Sequence, residues 1–367
     1  MKYLFILGRN PELSTAEIFC FFEKQENKIL NYIKSKHAIL IDLEKAIEGD
    51  TIEYLGGTIS IGKVMASGEI SEMIKGLDSQ DIYYGTENNL TYCLWNFCQD
   101  NTYDKILEYL KKRFKIERLK ASQKNLNNEL ELQEGGKVRI SGGLLDEEYF
   151  VFNNNFGKII SKTNYKKLEE RDMNKPDRRE ALAISPRLAK IMINLSQVKK
   201  QETLVDCFCG IGVILQEALL QEIKVIGIDK DSEAIEGARK NLEWFKFNKE
   251  NYNLIKEDSA KTKIKKVEGL VSEPDLGETL KRPTNPEKAK KILNEFERLM
   301  ISVLNNLKNS VSKRFVFSAP YIKLTNNKRI GCNIESILDK THLKLVKRFT
   351  EYRKDQIVGR EIFVLNK

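Results

Sequence analysis

Residues 202–229, ETLVDCFCGIGVILQEALLQEIKVIGID, decide the fold. Thr203 to Val205 is a short apolar run that ends in Asp206. A tight, glycine-containing loop, Cys207 to Gly212, leads into the apolar helical stretch Val213 to Leu220. A second apolar run, Lys224 to Ile228, ends in Asp229. The order strand, glycine loop, helix, strand, with a carboxylate at each strand tip, is how a doubly wound sheet holds an adenosine-containing cofactor.

The loop is not the dinucleotide fingerprint. Gly210 and Gly212 suit a tight turn, but the third glycine position holds Leu215, and no Gly-Lys-Ser/Thr follows. A plain strand-to-helix turn would explain the glycines alone. Three carboxylates narrow the reading. Asp206 is placed to accept from a cofactor amine or to order the loop backbone. Asp229 is placed for ribose hydroxyls, and Asp258, past a third strand, for an adenine amine. An acidic cradle without a phosphate-facing cation fits S-adenosylmethionine better than a pyrophosphate cofactor. The candidate cofactor set is Asp206, Phe208, Gly210, Gly212, Asp229, Asp258 and Ser259.

Outward from this stretch, 186–367 reads as one α/β domain. A helix covers Arg187 to Leu195, and others follow at Ser232 to Phe245 and Pro286 to Leu307. Strands are expected at Tyr252 to Ile255, Gly269 to Ser272 and Arg314 to Ser318, and the chain ends in a two-strand hairpin. Ser318-Ala319-Pro320-Tyr321 imitates an amino-methyltransferase motif, but its place in the strand order assigns it to the end of the fifth strand plus a turn. Residues 162–185 are polar, doubly charged and proline-bearing, as in a linker. Residues 1–74 alternate strands and one helix in a small α+β unit of ferredoxin-like type. Residues 75–161 form a second small α/β region, in which Thr102 to Lys115 is helical and Tyr149 to Phe152 and Lys158 to Ser161 pair around Asn153-Asn154-Asn155.

Composition sets limits. The 367 residues are 41% hydrophobic and 31% charged, with no apolar run near membrane-span length. MKYLFILGRNPEL reads as a strand, too brief for a signal peptide, so a cytoplasmic protein is expected. Six cysteines and two histidines lack metal or disulfide spacing, so no metal is expected. Charge is segregated. Residues 1–100 hold 9 Lys+Arg against 15 Asp+Glu, residues 101–200 hold 22 against 14, and residues 301–367 hold 14 against 5. A polyanion-binding face or generic lysine solubilisation both produce this pattern. Candidate RNA contacts are Lys111, Lys112, Arg113, Lys115, Arg118 and Lys120, continued by Lys124, and in the linker Arg171, Lys175, Arg178 and Arg179. The helix dipole accounts for part of the first cluster.

After the fourth strand comes Ser272-Glu273-Pro274-Asp275-Leu276-Gly277. Methylating an exocyclic base amine requires its lone pair to be aimed at the methyl group. A side-chain acceptor followed by a proline-fixed carbonyl supplies two acceptors for the amine hydrogens. Glu273 and Pro274 are the catalytic candidates.

The set DCFCGIG, GIDKD, EDS and EPDLG, with PRLAKIMINL upstream and QIVGREIFVL at the end, resembles the THUMP-domain tRNA guanine-N2 methyltransferases that modify guanosine 10. The resemblance is strongest from about Glu170 onward. It implies a ferredoxin-like domain, a THUMP-like RNA-binding domain (75–161), a linker, and a class I, Rossmann-like methyltransferase domain with a mixed seven-stranded sheet. It also implies S-adenosylmethionine, a tRNA partner and a possible small activator subunit. Glu273 stands where the family has Asp, Asp275 replaces its second Pro, and Leu276 replaces its Tyr. Three readings follow: guanine-N2 methylation with Glu273 as acceptor, methylation of another RNA atom, or a partner-dependent or non-catalytic tRNA-binding protein. A DNA amino-methyltransferase is a further alternative.

Overall fold

The computed structural model describes residues 1–367 apart from 127, 134, 141–144, 179–183 and 278–279. The chain divides into two compact units. The first comprises Met1–Thr15, Asn27–Glu53 and Gly57–Thr163; the second comprises Ala16–Glu26, Tyr54–Gly56 and Asn164–Lys367.

The first unit is built on one eight-stranded sheet. In chain order its elements are β1 (Lys2–Leu7), α1 (Pro11–Lys24, divided between the units), β2 (Ile29–Lys34), β3 (Ala38–Leu43), β4 (Thr58–Ser67) and α2 (Ile70–Asp78). These are followed by β5 (Asn89–Asn96), α3 (Thr102–Ile116), β6 (Lys120–Gln123), β7 (Asn128–Glu131), β8 (Lys137–Ile140), β9 (Glu147–Phe152) and β10 (Asn155–Lys162). The sheet order is β2-β3-β1-β4-β10-β9-β5-β6, and β7 and β8 form a separate hairpin. Strands from both small regions of the sequence share this sheet. The run Tyr149-Phe150-Val151-Phe152 is apolar at every position because both faces of β9 are covered. Tyr149 and Val151 meet Ile106, Leu110 and Phe114 of α3, while Phe150 and Phe152 meet Trp95, Leu4 and Ile6.

The second unit carries α4 (Tyr165–Met173), α5 (Pro186–Ser196), β11 (Thr203–Asp206), α6 (Val213–Leu219), β12 (Lys224–Asp229), α7 (Ser232–Trp244) and β13 (Tyr252–Lys256). It continues with β14 (Gly269–Ser272), α8 (Pro286–Leu307), β15 (Phe315–Lys323), β16 (Arg329–Ile330), α9 (Ile334–Thr341), β17 (Lys344–Glu351) and β18 (Val358–Asn366). The sheet order is β13-β12-β11-β14-β15-β18-β17. The first five are mutually parallel, while β18 runs antiparallel to β15 and to β17. This is the expected mixed, seven-stranded Rossmann-like sheet. β11 lies at the centre of the five parallel strands, with β12 and β13 on one side and β14 and β15 on the other, the point at which doubly wound sheets open a crevice.

Local chemistry sets the helix starts. Ser185 accepts from Leu188 N–H at 3.2 Å ahead of Pro186, and Asn285 accepts from Lys288 N–H at 2.8 Å ahead of Pro286. On α8 the residues Ile292, Leu293, Phe296, Met300, Val303, Leu304 and Leu307 share one face and pack on Phe315, Phe317 and Phe363.

Three sequence expectations change. The strand expected to stop in a turn at Ser318 runs on to Lys323, with Pro320 opposite Arg360. β14 accompanies β15 only as far as Phe317, so the absent N–H of Pro320 interrupts no ladder on that side. The linker contains the helix α4, N-capped by Asn164, whose side chain accepts from Lys167 N–H at 2.9 Å. Arg171 and Lys175, expected to meet phosphate, are instead directed inward. Arg171 pairs with buried Glu217 at 3.2 Å, and Lys175, 3% exposed, pairs with Asp172 at 2.6 Å.

Candidate active site

The site begins at β11. Asp206, 1% exposed at the strand end, accepts from Phe208 N–H at 3.2 Å and from Ser272 Oγ–H at 2.5 Å. Ser272 sits at the end of β14, so this contact ties the two central strands together beneath the loop. Burial, with Asp229 and Glu273 nearby, pushes the Asp206 carboxyl up to about 7 against the opposing hydrogen bonds.

The loop is wound tightly upon itself. Gly210 (φ +50°) and Gly212 (φ +86°) occupy the left-handed region, and Gly212 caps α6. Asp229 receives Gly210 N–H at 2.9 Å on one oxygen and Asp231 N–H at 3.0 Å on the other. Cys209 N–H goes to Ile228 O at 3.0 Å and Gly212 N–H to Cys209 O at 2.8 Å. The N–H groups of Phe208, Cys209, Gly210 and Gly212 are therefore committed internally, which leaves them no nest for a pyrophosphate. The thiols of Cys207 and Cys209 are buried, and burial raises both above the ordinary thiol range, so they pack and carry no thiolate.

Asp258 closes a turn by accepting Ala260 N–H at 3.0 Å, and Ser259 Oγ–H bonds the carbonyl of Cys207 at 2.5 Å. Asn241, fully buried on α7, donates to Ile211 O at 3.0 Å and Asp177 O at 3.1 Å and accepts from Asp177 N–H at 3.0 Å. It fastens both the loop and the linker to the sheet. Asn241 is not legible in the sequence, where it is one polar residue among many on a helix.

Glu273 follows β14. Its Oε1 is paired with Arg360 Nε and receives Ser318 Oγ–H at 3.3 Å; its Oε2 is buried and, among the described residues, has no partner. Arg360 and Ser318 come from the antiparallel pair β18 and β15, on which Pro320 faces Arg360. Asp275 accepts Gly277 N–H at 3.0 Å, so the replacement at the motif's third position closes a turn around Gly277 at φ +91°. Arg329 holds the wall between β17 and β18. It donates to Tyr321 O at 3.1 Å and Ile357 O at 3.2 Å and lies 4.4 Å from the Tyr352 ring centroid.

One cavity of about 700 Å³ collects these groups. One half is lined by Asp206, Phe208, Gly210, Asp229, Asp258 and Ser259, the other by Glu273, Pro274, Leu276, Asp355 and Arg360. Of the cofactor and catalytic candidates only Gly212 is not a lining residue; it sets the start of α6. Lys230 adds one exposed cation. Among the described residues no His, Cys, Asp and Glu side chains converge as a metal site. Also among them, no helix is long and apolar enough to cross a membrane.

The basic candidates lie elsewhere. Lys111, Lys115, Arg118 and Lys120 are exposed on the first unit, and Lys112 is exposed but pairs with Glu108 at 2.7 Å. Arg113 is half-buried and bound to Glu117, to Asp78 at 3.4 Å and to Leu77 O at 3.2 Å. Arg178 is exposed, and Arg179 lies outside the described residues.

Sheet order, acidic crevice and strand-four motif together define a class I, S-adenosylmethionine-dependent methyltransferase. Comparisons with known proteins agree. A family model described as RMKL-like, methyltransferase domain, matches residues 174–311, and one described as DNA methylase matches 14–240. A tRNA (guanine(10)-N2)-dimethyltransferase of Pyrococcus abyssi is 25% identical over 292 residues, 77% of this chain and 80% of the relative. The protein of the same name from Methanothermobacter thermautotrophicus is 36% identical over 115 residues, but the match spans only 33% of that relative. The crystal structure of TrmN from Thermus thermophilus superposes with a TM-score of 0.51 at 11% identity, covering 100% of both chains, a likeness of fold. The chain belongs to the methyltransferase family whose model, described as DNA methylase, matches 14–240, and it is similar to the tRNA (guanine(10)-N2)-dimethyltransferases.

Proposed function

We propose that the protein transfers a methyl group from S-adenosylmethionine to the exocyclic N2 amine of a guanosine in tRNA. The observation that carries this reading is the buried Oε2 of Glu273, unpartnered among the described residues, in the same cavity as the acidic cradle. A buried acceptor without a donor is costly and marks a place where a donor arrives.

The cradle fits the cofactor. Asp229 retains lone pairs for ribose hydroxyls after accepting two backbone N–H groups, Asp258 faces the adenine end, and Asp206 in its ionised form favours the cationic amino acid end. The bound cofactor supplies the electrophilic methyl. Glu273 Oε2 accepts one N2 hydrogen and the Pro274 carbonyl the other, which turns the lone pair toward the methyl. The same carboxylate faces the positive charge that develops on N2 and receives the departing proton. Leu276 offers the base an apolar face where the family's tyrosine would stack. Lys111, Lys115, Arg118 and Lys120 are phosphate contacts that set register without reading sequence. The target guanosine must leave any stack to reach the crevice. This reading places the protein with tRNA in the cytoplasm.

The test is methyl incorporation into unmodified tRNA with nucleoside analysis, for the wild type and Glu273→Ala. N2-methylguanosine from the wild type alone is expected. A cofactor-saturated, tRNA-bound protein that transfers nothing, or transfers to DNA alone, sinks the proposal. Turnover by the isolated chain would remove the need for an activator subunit.

A further inference from the structure

The pairing between Arg360 and Glu273 uses only Nε of the guanidinium. Among the described residues its two terminal amino groups make no hydrogen bond, and Arg360 lines the same half of the cavity as Glu273. Both side chains are largely withdrawn from water, at 19% and 8% exposure. The pocket thus holds a free acceptor, Glu273 Oε2, and an arginine bound to the other carboxylate oxygen whose terminal amino groups are unbonded among the described residues.

That set of groups has one match among the purines. The Watson–Crick edge of guanine runs from the O6 acceptor through N1–H to the N2 amine donor. Adenine presents a donor at C6 and an acceptor at N1, and lacks the N2 amine. We propose that Arg360 determines base specificity by donating to guanine O6, while Glu273 takes the N2 amine. This rests on the functional reading above and names the residue that selects its base. An aspartate would be one methylene shorter. The glutamate reaches an arginine on the last strand, so the departure from the family motif gains a recognition element. A fixed guanidinium fork suits this task because it keeps its charge and geometry when desolvated. Where a site is built to hydrogen-bond a substrate atom, an analogue lacking that atom leaves buried donors unpaired.

The test uses the full chain and tRNA in which the guanosine methylated by the wild type is replaced by 2,6-diaminopurine. That base keeps the N2 amine and exchanges O6 for an amine. The wild type should prefer guanosine by about 10- to 100-fold in kcat/KM, the scale of one good base contact. Arg360→Met should lose more activity on guanosine than on diaminopurine, bringing the ratio close to one, since any loss from releasing Glu273 falls on both templates equally. Arg360→Lys, which keeps a donor, should retain part of the preference. Cofactor binding by calorimetry checks that both variants fold. A purely structural clamp on Glu273 would lower both templates by one factor and leave the ratio intact, which overturns the inference; so does a wild type without preference. Should Arg360→Met not fold, the wild-type ratio and Arg360→Lys decide. A wild type that methylates neither template removes the functional reading and this inference with it.

Discussion

At the scale of single residues, the chemistry depends on carboxylates whose surroundings differ sharply. Asp206 is buried and raised to about 7, so near neutral pH it is divided between protonated and ionised forms. A cationic ligand selects the ionised form. We therefore expect S-adenosylmethionine affinity to weaken as pH falls from 8 to 6, approaching tenfold per pH unit below the Asp206 pKa of about 7. Asp206→Asn should bind weakly with a flat pH profile, and calorimetry across pH measures both. The sign for stability is the reverse of a salt-bridged acid. The folded pKa lies above the unfolded value, so no penalty exists below about 4, and stability from this group falls as pH rises toward 7. Under the proposed function, Glu273→Gln keeps shape but removes the charge that would face N2. A loss of roughly 10²- to 10³-fold in kcat is expected by analogy with removal of one transition-state hydrogen-bonding group, with cofactor affinity unchanged. Equal activity of the glutamine variant would show that Glu273 only packs.

At the scale of elements, the cofactor loop holds its shape because α6, α7 and β14 each fix part of it. Gly212→Ala places a Cβ on a residue at φ +86°, and the left-handed conformation costs a non-glycine residue about 1–2 kcal/mol. Asn241→Ala leaves the carbonyls of Ile211 and Asp177 and the N–H of Asp177 without their buried partner. A destabilisation of about 1–3 kcal/mol is expected for that loss. It should be accompanied by weaker cofactor binding, because the loop and linker loosen together. Urea unfolding and cofactor titration of the two variants check this. A destabilised Asn241→Ala with unchanged cofactor affinity would mean that the α7 contact supports the fold and not the site.

At the scale of the whole molecule, the proposed function gives the crevice and the exposed lysines separable jobs. Replacing Lys111, Lys115 and Lys120 by Ala together should weaken tRNA binding and leave cofactor affinity intact. The salt slope should fall by roughly 0.7–0.9 for each phosphate no longer neutralised. Filter binding across salt concentration measures the slope. An unchanged slope would assign these lysines to solubility.

The sequence by itself determined the class of fold and pointed to one half of the candidate site. Asp206, the Gly210–Gly212 loop, Asp229 and Asp258 are local features, each at a strand tip, and alternation of apolar runs orders the strands. The sequence also marked the helix starts, expected at Arg187 and Pro286 and found at Pro186 and Pro286. What only the tertiary structure decided is which distant groups meet. Glu273 and Arg360 are separated by 87 positions, and the parallel crossover from β14 to β15 and the antiparallel return of β18 bring them together. Asn241 gains its meaning in the same way, and so does the inward turn of Arg171 and Lys175, which resembled surface cations. Pair energies between sites far apart in sequence leave no periodic trace along the chain. A strand's register sets them, and register follows from the packing of the entire sheet.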